Sequence, residues 1–172
     1  MELSKDQRLV LYNQYEILKG IYSNDEHMVD TYNYYQEILV GGYKAQYDEL
    51  ISGFYDELPI DIHEFVFDIL QLHRVLFDSY ENLMDDEKKE IDKNDIIFDG
   101  FDGNEEFEYY RYTESVLTNM QRYSEIYDNG KVTLNSHARR VPIYKRMLDA
   151  WEGKKQNLNF EDIKKIISAK IY

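Results

Sequence analysis

The chain has 172 residues, a formal net charge of −14 and no cysteine. Without cysteine it forms no disulfides, and thiolate nucleophiles and sulfur-ligated zinc sites are excluded. The amino terminus shows no signal-peptide pattern, and no apolar run approaches the ~20 residues that a membrane span requires. We therefore expect a cytoplasmic protein that does not associate with a membrane.

The charge is distributed unevenly along this acidic, tyrosine-rich chain. Residues 1–130 carry 10 Lys and Arg against 30 Asp and Glu, formally −20, whereas residues 131–172 carry 10 against 4, formally +6. We interpret the difference mainly as complementarity between the basic tail and an acidic body, around a tail that docks through apolar residues. The overall −14 predicts a protein partner with a basic surface and argues against direct binding of nucleic acid.

The first helix is predicted by Ser4 followed by Gln7, which is a capping-box pattern. Its apolar stripe is expected to comprise Leu3, Val10, Leu11, Ile17, Leu18 and Ile21. At 3.6 residues per turn, Gln7 and Gln14 fall inside that stripe. We therefore expect both amides to be buried and to find hydrogen-bond partners.

Helical periodicity and end signals predict the remaining elements. The predicted ranges are about 24–40, 43–58 with a break near Ser52-Gly53, 60–84 after Pro59, 105–127, 142–152 and a last helix after Asn159. An acidic connection is expected over 85–104, and a turn at Asn129-Gly130 precedes an irregular segment over 131–140. Six or seven helices with almost no alternating pattern indicate an all-α, single-domain bundle built on a long central helix, about 60–84.

Several motifs that would specify a reaction are missing from the sequence. It has no dinucleotide-binding, P-loop, zinc-protease or nucleophile-elbow pattern. We therefore predict no cofactor and no metal site, and the sequence leaves any catalytic residue unknown. The acidic segment after Asp95 fails the ligand register of an EF-hand. Weak cation binding by Asp99, Asp102 and Glu105 is the alternative to a solvated acidic turn.

Two histidines invite opposite interpretations. His73 lies in the apolar face of the central helix, so we expect a core histidine hydrogen-bonded to another helix. His137 lies in a polar segment with Ser136, Arg139 and Arg140, where the three cationic side chains are candidates for an anion site. The alternatives for this group are solvated or carboxylate-paired arginines, and a hydrolase or transferase site that uses Ser136 and His137.

Four segments of the sequence resemble the YfbU family. They are QRLVLYNQY (7–15), the Gly42-Tyr43 junction, FDGFD (98–102) and YKRMLDAW (144–151). The resemblance covers essentially the whole chain, and it implies one helical domain over residues 1–172. It brings no established activity and no catalytic residues. Some members join such a domain to a DNA-binding helix-turn-helix, which implies a ligand-sensing or regulatory role.

The resembling segments supply our candidate ligand-binding residues, because they mix aromatic rings with hydrogen-bonding groups. These candidates are Arg8, Asn13, Gln14, Tyr15, Tyr144, Arg146 and Trp151. The first hypothesis is a non-catalytic interaction or small-ligand-binding domain, and a homodimer is expected through a tyrosine-rich helical surface. The alternatives are the hydrolase or transferase above, and an acidic mimic of nucleic acid that binds a basic protein.

Overall fold

The structure is a computed structural model that describes residues 1–126 and 134–170. Within those ranges it contains eight α-helices and no β-strand, which confirms the predicted all-α fold. None of the described helices is long and apolar enough to cross a membrane. The chain divides into two compact units, Met1–Asp56 and Glu57–Tyr172, which are described separately below.

The first unit is a helical hairpin followed by a short 3-10 helix. Its elements are α1 (Lys5–Ile21), α2 (Glu26–Gly41) and the 3-10 helix Lys44–Ile51. The predicted capping box of Ser4 and Gln7 is present at the start of α1. Asp25 caps α2 by accepting a hydrogen bond from the amide of Met28, and Gly42 ends this helix with a φ of 67°. A left-handed residue at this position is the usual way to end a helix.

Aromatic rings and polar side chains hold α1 against α2. The Tyr15 ring stacks on that of Tyr32 with 5.6 Å between centroids. The buried Gln36 amide donates to the carbonyl of Tyr12 and accepts from Lys19 Nζ at 2.6 Å. The half-buried residues along α1 are Arg8, Leu11, Tyr12, Tyr15, Leu18 and Lys19. No residue of α1 is fully buried.

The predicted orientation of α1 is therefore only partly right: Leu3, Leu11 and Leu18 of the expected stripe are half-buried. Gln7 and Gln14 are exposed, and so are Val10, Ile17 and Ile21. Beside Leu11 and Leu18, the half-buried side of α1 carries tyrosine rings and the stems of long cationic side chains, which are amphipathic and pack well with their polar ends outside. The most aliphatic side of α1 is left facing out.

The second unit surrounds the long helix α3 (Ile60–Glu81), which confirms the predicted central helix. The other elements are α4 (Asp85–Lys89), α5 (Lys93–Ile96), α6 (Phe107–Glu114) with a π-helical turn over Ser115–Asn119, α7 (Val141–Ala150), a 3-10 turn over Glu152–Lys154, and α8 (Phe160–Ser168). Val66, Ile69, Leu70, Leu72 and Leu76 of α3 are fully buried. Contacts from α5, α6, α7 and α8 enclose α3, so its apolar surface forms the centre of this unit.

The helix predicted over 105–127 ends earlier in the structure. After α6 the backbone widens into the π-helical turn, where the amide of Met120 donates to the carbonyl of Ser115. Gln121 and Tyr123 then take positive φ angles of 51° and 57°, which end the helix. Met120 is exposed rather than buried. The last residue of the predicted helix, Tyr127, and the predicted turn at 129–130 lie outside the described residues.

The basic tail docks on the rest of the second unit mainly through apolar side chains. Ile163 and Ile166 of α8 are buried in the core. Among the described residues, four ion pairs join the tail to earlier carboxylates: Arg139–Glu105, Arg140–Asp99, Lys164–Glu90 and Lys170–Asp99. Two more pairs, Lys155–Asp162 and Lys165–Glu152, stay within the tail. The uneven charge is thus partly neutralised inside this unit.

Candidate functional site

The candidate ligand-binding residues fall in both units. Arg8, Asn13, Gln14 and Tyr15 lie on α1 of the first unit. Tyr144 and Arg146 lie on α7 of the second unit, and Trp151 follows that helix. The surroundings of each group show which side chains serve the fold and which are available to a ligand.

Arg8 is fixed in the first unit by the end of α2. Its Nη1 donates to the carbonyl of Leu39 at 2.8 Å. A cation at this position compensates the unpaired carbonyls at the carboxyl end of a helix. Gly42 lies close beside it, because a Cβ added to Gly42 would come within 2.8 Å of Arg8 Nη1. Arg8 Nε is shielded from solvent and has no hydrogen-bond partner in the described chain.

A groove of about 270 Å³ opens beside Arg8, between α1 and the end of α2. Its lining residues are Lys5, Arg8, Leu9, Tyr12, Leu39 and Val40. We call this cavity the α1–α2 groove. Leu9 and Val40 expose 60% and 68% of their surface at its sides. The groove therefore combines two cationic side chains with an apolar wall.

A second feature of α1 is its exposed apolar side. Gln7, Val10, Gln14, Ile17 and Ile21 follow one another at spacings of three and four residues, and we call this set the α1 stripe. Val10, Ile17 and Ile21 are 56%, 64% and 67% exposed. Spacing of this kind is the pattern of a coiled-coil seam. A shallow cavity of about 420 Å³ begins at its amino-terminal end, lined by Leu3, Asp6, Gln7, Val10 and Leu11.

Two of the other candidates on α1 differ in their surroundings. Tyr15 belongs to the ring cluster with Tyr32 and Tyr35, and burial raises the pKa of its hydroxyl. Its ring thus helps to pack α1 against α2. Asn13 is exposed and lies beside the α1 stripe.

The candidates on and after α7 make hydrogen bonds to backbone groups within the second unit. Tyr144 is fully buried; its hydroxyl donates to the carbonyl of Gly100 at 2.9 Å and accepts from the amide of Asp99 at 3.2 Å. Burial raises the pKa of this phenol well above its usual value. The guanidinium of Arg146 donates to the carbonyls of Ala169 and Lys170, and so holds the end of α8.

Trp151 is buried, and its indole Nε1 donates to the carbonyl of Lys155 at 2.8 Å. With Tyr144 and Arg146, it forms part of the frame of the second unit.

The group around His137 does not form an open anion site. Arg139 pairs with Glu105, and Arg140 Nη1 lies 3.8 Å from Asp99 Oδ2. Carboxylate-paired arginines were one of the alternatives for this group, and both arginines lie beside a carboxylate in this way. The Ser136 hydroxyl donates to the carbonyl of Ala138 at 2.6 Å rather than to His137. The hydrogen-bonded pair that would activate Ser136 as a nucleophile is therefore not formed here.

Glu106 organises this segment, and the sequence analysis did not identify it. The buried carboxylate accepts from the amides of Arg140 at 2.9 Å and Val141 at 2.8 Å, and from the amide of Asp102 at 3.1 Å. Asp102 accepts from the amides of Asn104 and Glu105, and these hydrogen bonds lower its pKa. Both carboxylates thus satisfy backbone donors. Their partners lie too far away, or in too irregular a loop, for a local pattern to reveal the roles.

His73 confirms the prediction of a core histidine with a partner on another helix. It is fully buried, and its Nδ1 lies 2.9 Å from the carbonyl of Ile96 in α5. Because a carbonyl only accepts, Nδ1 carries the hydrogen. Nε2 has no hydrogen-bond partner in the described chain, and burial lowers the pKa of the ring to about 4. The ring is therefore neutral at pH 7.

Comparison with known proteins agrees with this architecture. A profile of the YfbU domain matches residues 1–169. UPF0304 protein MJECS11 of Methanocaldococcus jannaschii is 33% identical to this chain. The alignment covers 97% of this chain and 99% of that protein. Neither name states an activity. A match over this length, with this identity, shows that the chain belongs to the YfbU family.

Proposed function

We propose that the protein is a non-catalytic interaction domain that self-associates through the α1 stripe. The observation that carries this proposal is the exposure of Val10, Ile17 and Ile21, which lie seven and four positions apart on one side of α1. Single exposed apolar residues are ordinary in soluble proteins, but a contiguous apolar stripe marks an interaction surface.

The energetics of the first unit support a covered stripe. A unit of 56 residues seldom gains more than about 3–5 kcal/mol from its own core. Here α1 contributes no fully buried residue. Full burial of a Val or Ile side chain is worth about 1.5–3 kcal/mol. A partner that covers this stripe would therefore supply the apolar burial that the hairpin lacks.

A second copy of the chain suits the stripe better than a charged partner. Among the described residues of α1, Asp6 is the one charged residue that flanks the stripe on its open side, although the chain carries −14 overall. Each Gln amide has donors and an acceptor, so Gln7 and Gln14 are self-complementary when they face their own copies. A polar residue inside such a seam fixes register and favours pairing in two strands. We therefore propose that two α1 helices lie parallel and in register.

This contact is small, because the seam spans about two heptads. Stable interfaces bury about 1,200–2,000 Å², so we expect association in the micromolar range rather than a permanent dimer. The dimer keeps the acidic remainder of each chain exposed. A protein with a basic surface is the further partner that this charge favours.

Sedimentation velocity on the full chain tests the proposal. Between about 5 and 500 μM we expect a concentration-dependent shift from monomer to dimer. Ile17→Glu should remain monomeric with an unchanged helical circular dichroism spectrum. The matched control is Ile60→Glu, which alters an isoleucine 70% exposed in the second unit and should associate like the unaltered protein. A monomer at all concentrations, or unchanged association of Ile17→Glu, would overturn the proposal.

A further inference from the structure

We infer that the α1–α2 groove is a binding site for a carboxylate that carries an apolar chain. The groove lies on a different side of α1 from the α1 stripe, and this inference does not depend on self-association. Its first support is an imbalance of charge partners within the first unit.

The first unit is acidic, with 4 Lys and Arg against 10 Asp and Glu. Lys19 pairs with Glu16, and Lys44 pairs with Glu2. The two remaining cations, Lys5 and Arg8, have no carboxylate partner in the described chain, and both line the groove. In a unit with this excess of acids, two neighbouring cations without an ion pair indicate a place where the anion comes from a ligand.

Arg8 is oriented in advance for such an anion. The hydrogen bond from Nη1 to Leu39 fixes the guanidinium at the wall of the groove. The Nε hydrogen has no acceptor among the described residues, and a buried donor without an acceptor is unfavourable. Guanidinium and carboxylate geometries match when two hydrogen bonds form side by side. A carboxylate that enters the groove would thus supply an acceptor next to a fixed cation.

The apolar wall determines the character of the chain that the carboxylate carries. Leu9 and Val40 are more than half exposed on either side of the groove, and Leu39 and Tyr12 also line it. Ligand sites commonly combine such a wall with a few polar groups. The cavity of about 270 Å³ corresponds to roughly nine water molecules at ~30 Å³ each. An acid with an unbranched chain of about eight carbons is of this size.

The charge of the ligand follows from the surroundings. Two cations in a unit that is otherwise strongly acidic favour one negative charge over the two of a phosphate monoester, which the remaining carboxylates would repel. Octanoate is therefore the probe that matches the groove in charge and size. Octan-1-ol has the same chain without the charge, and inorganic phosphate has the charge without the chain.

Titration of the full, ¹⁵N-labelled chain with octanoate tests this inference by NMR. We expect saturable shifts of the backbone amides of Leu9, Leu39 and Val40, and binding by octan-1-ol at least fivefold weaker. Lys5→Gln and Val40→Ser should each weaken octanoate binding at least fivefold. Lys89→Gln is the control, since that lysine lies in α4 of the second unit, and it should leave the dissociation constant unchanged.

Three outcomes of these titrations would overturn the inference, and a fourth comes from competition with phosphate. They are octan-1-ol binding as tightly as octanoate, an unchanged constant for Lys5→Gln, and shifts confined to the cavity around Leu3 and Val10. Displacement of octanoate by millimolar phosphate would also contradict it. Repeating the titration on Ile17→Glu separates the two proposals. Binding to that monomeric variant is expected, whatever the outcome for self-association.

Discussion

Glu106 accepts a hydrogen bond from the amide of Val141 at 2.8 Å, across 35 positions of the chain. It also accepts from the amide of Arg140 at 2.9 Å. No side chain at the start of α7 caps that helix, so a carboxylate from the residue before α6 takes over the role. An anion at this end also interacts favourably with the helix dipole. The hydrogen bonds of Glu106 thus join α6 to α7.

Replacement of Glu106 by Gln should therefore destabilise the second unit. The amide keeps the size of the side chain but loses the charge and one acceptor, which leaves buried backbone donors unmet. We expect a loss of about 1–3 kcal/mol in the free energy of unfolding, measured in urea. Glu105→Gln is the matched control, because that carboxylate is exposed and its ion pair lies at the surface. Its change should stay below about 0.5 kcal/mol.

The Tyr144 hydroxyl should contribute a similar amount to the free energy of unfolding. Tyr144→Phe removes the donor to Gly100 and the acceptor for Asp99, so two backbone groups lose their partner. We expect a destabilisation of about 1–3 kcal/mol by urea unfolding. Tyr34→Phe removes an exposed hydroxyl that donates to Glu49 and should cost less than about 0.5 kcal/mol. Equal effects of the two variants would show that the buried hydroxyl has no special role.

Burial of His73 predicts a dependence of stability on pH. The pKa of the ring falls from its usual 6.5 to about 4 on folding. Between these values the unfolded chain binds more protons than the folded one, so stability is lost as the pH falls from 6.5 towards 4. The loss attributable to this ring reaches about 3 kcal/mol.

His73→Asn isolates this contribution, because the side-chain amide retains a donor for the carbonyl of Ile96 but does not titrate. We expect the variant to be less stable at pH 7 because of its smaller volume. The difference between it and the unaltered protein should shrink as the pH falls through the stated window. A constant difference from pH 7 to pH 4 would show that His73 is protonated equally in both states.

The docking of α8 should depend on packing more than on charge. Ile163 is fully buried, so Ile163→Ala should cost about 2–5 kcal/mol. Lys164 pairs with Glu90 at 3.4 Å at the surface, so Lys164→Ala should cost less than about 1 kcal/mol. Urea unfolding at 0.05 and 0.5 M NaCl should differ only modestly for both variants. A strong salt dependence would instead indicate that ion pairs hold the tail.

The positions of most helices could be predicted from local signals, such as the capping box at Ser4 and the cap at Asn159. The direction in which α1 faces could not, because periodicity marks an apolar side without saying whether the chain itself covers it. Residues such as Tyr15 and Lys19 contact α2, where the aliphatic stripe had been expected. No local pattern distinguished Glu106 from the other acidic residues, because its partners lie 34 and 35 positions away. The candidate site stays a prediction, and the α1 stripe and the α1–α2 groove could be described only once the fold was known.

Cross-linking through an introduced cysteine tests the pairing of α1 helices most directly, because the chain has no cysteine of its own. In a parallel, in-register pair Gln14 faces its own copy, within the Cα separation of about 4.4–6.8 Å that a disulfide requires. Gln14→Cys should therefore form a dimer on mild oxidation at micromolar concentration. Leu9→Cys, on the groove side of α1, should remain monomeric. Equal cross-linking of both variants, or none by Gln14→Cys, would contradict self-association through the α1 stripe.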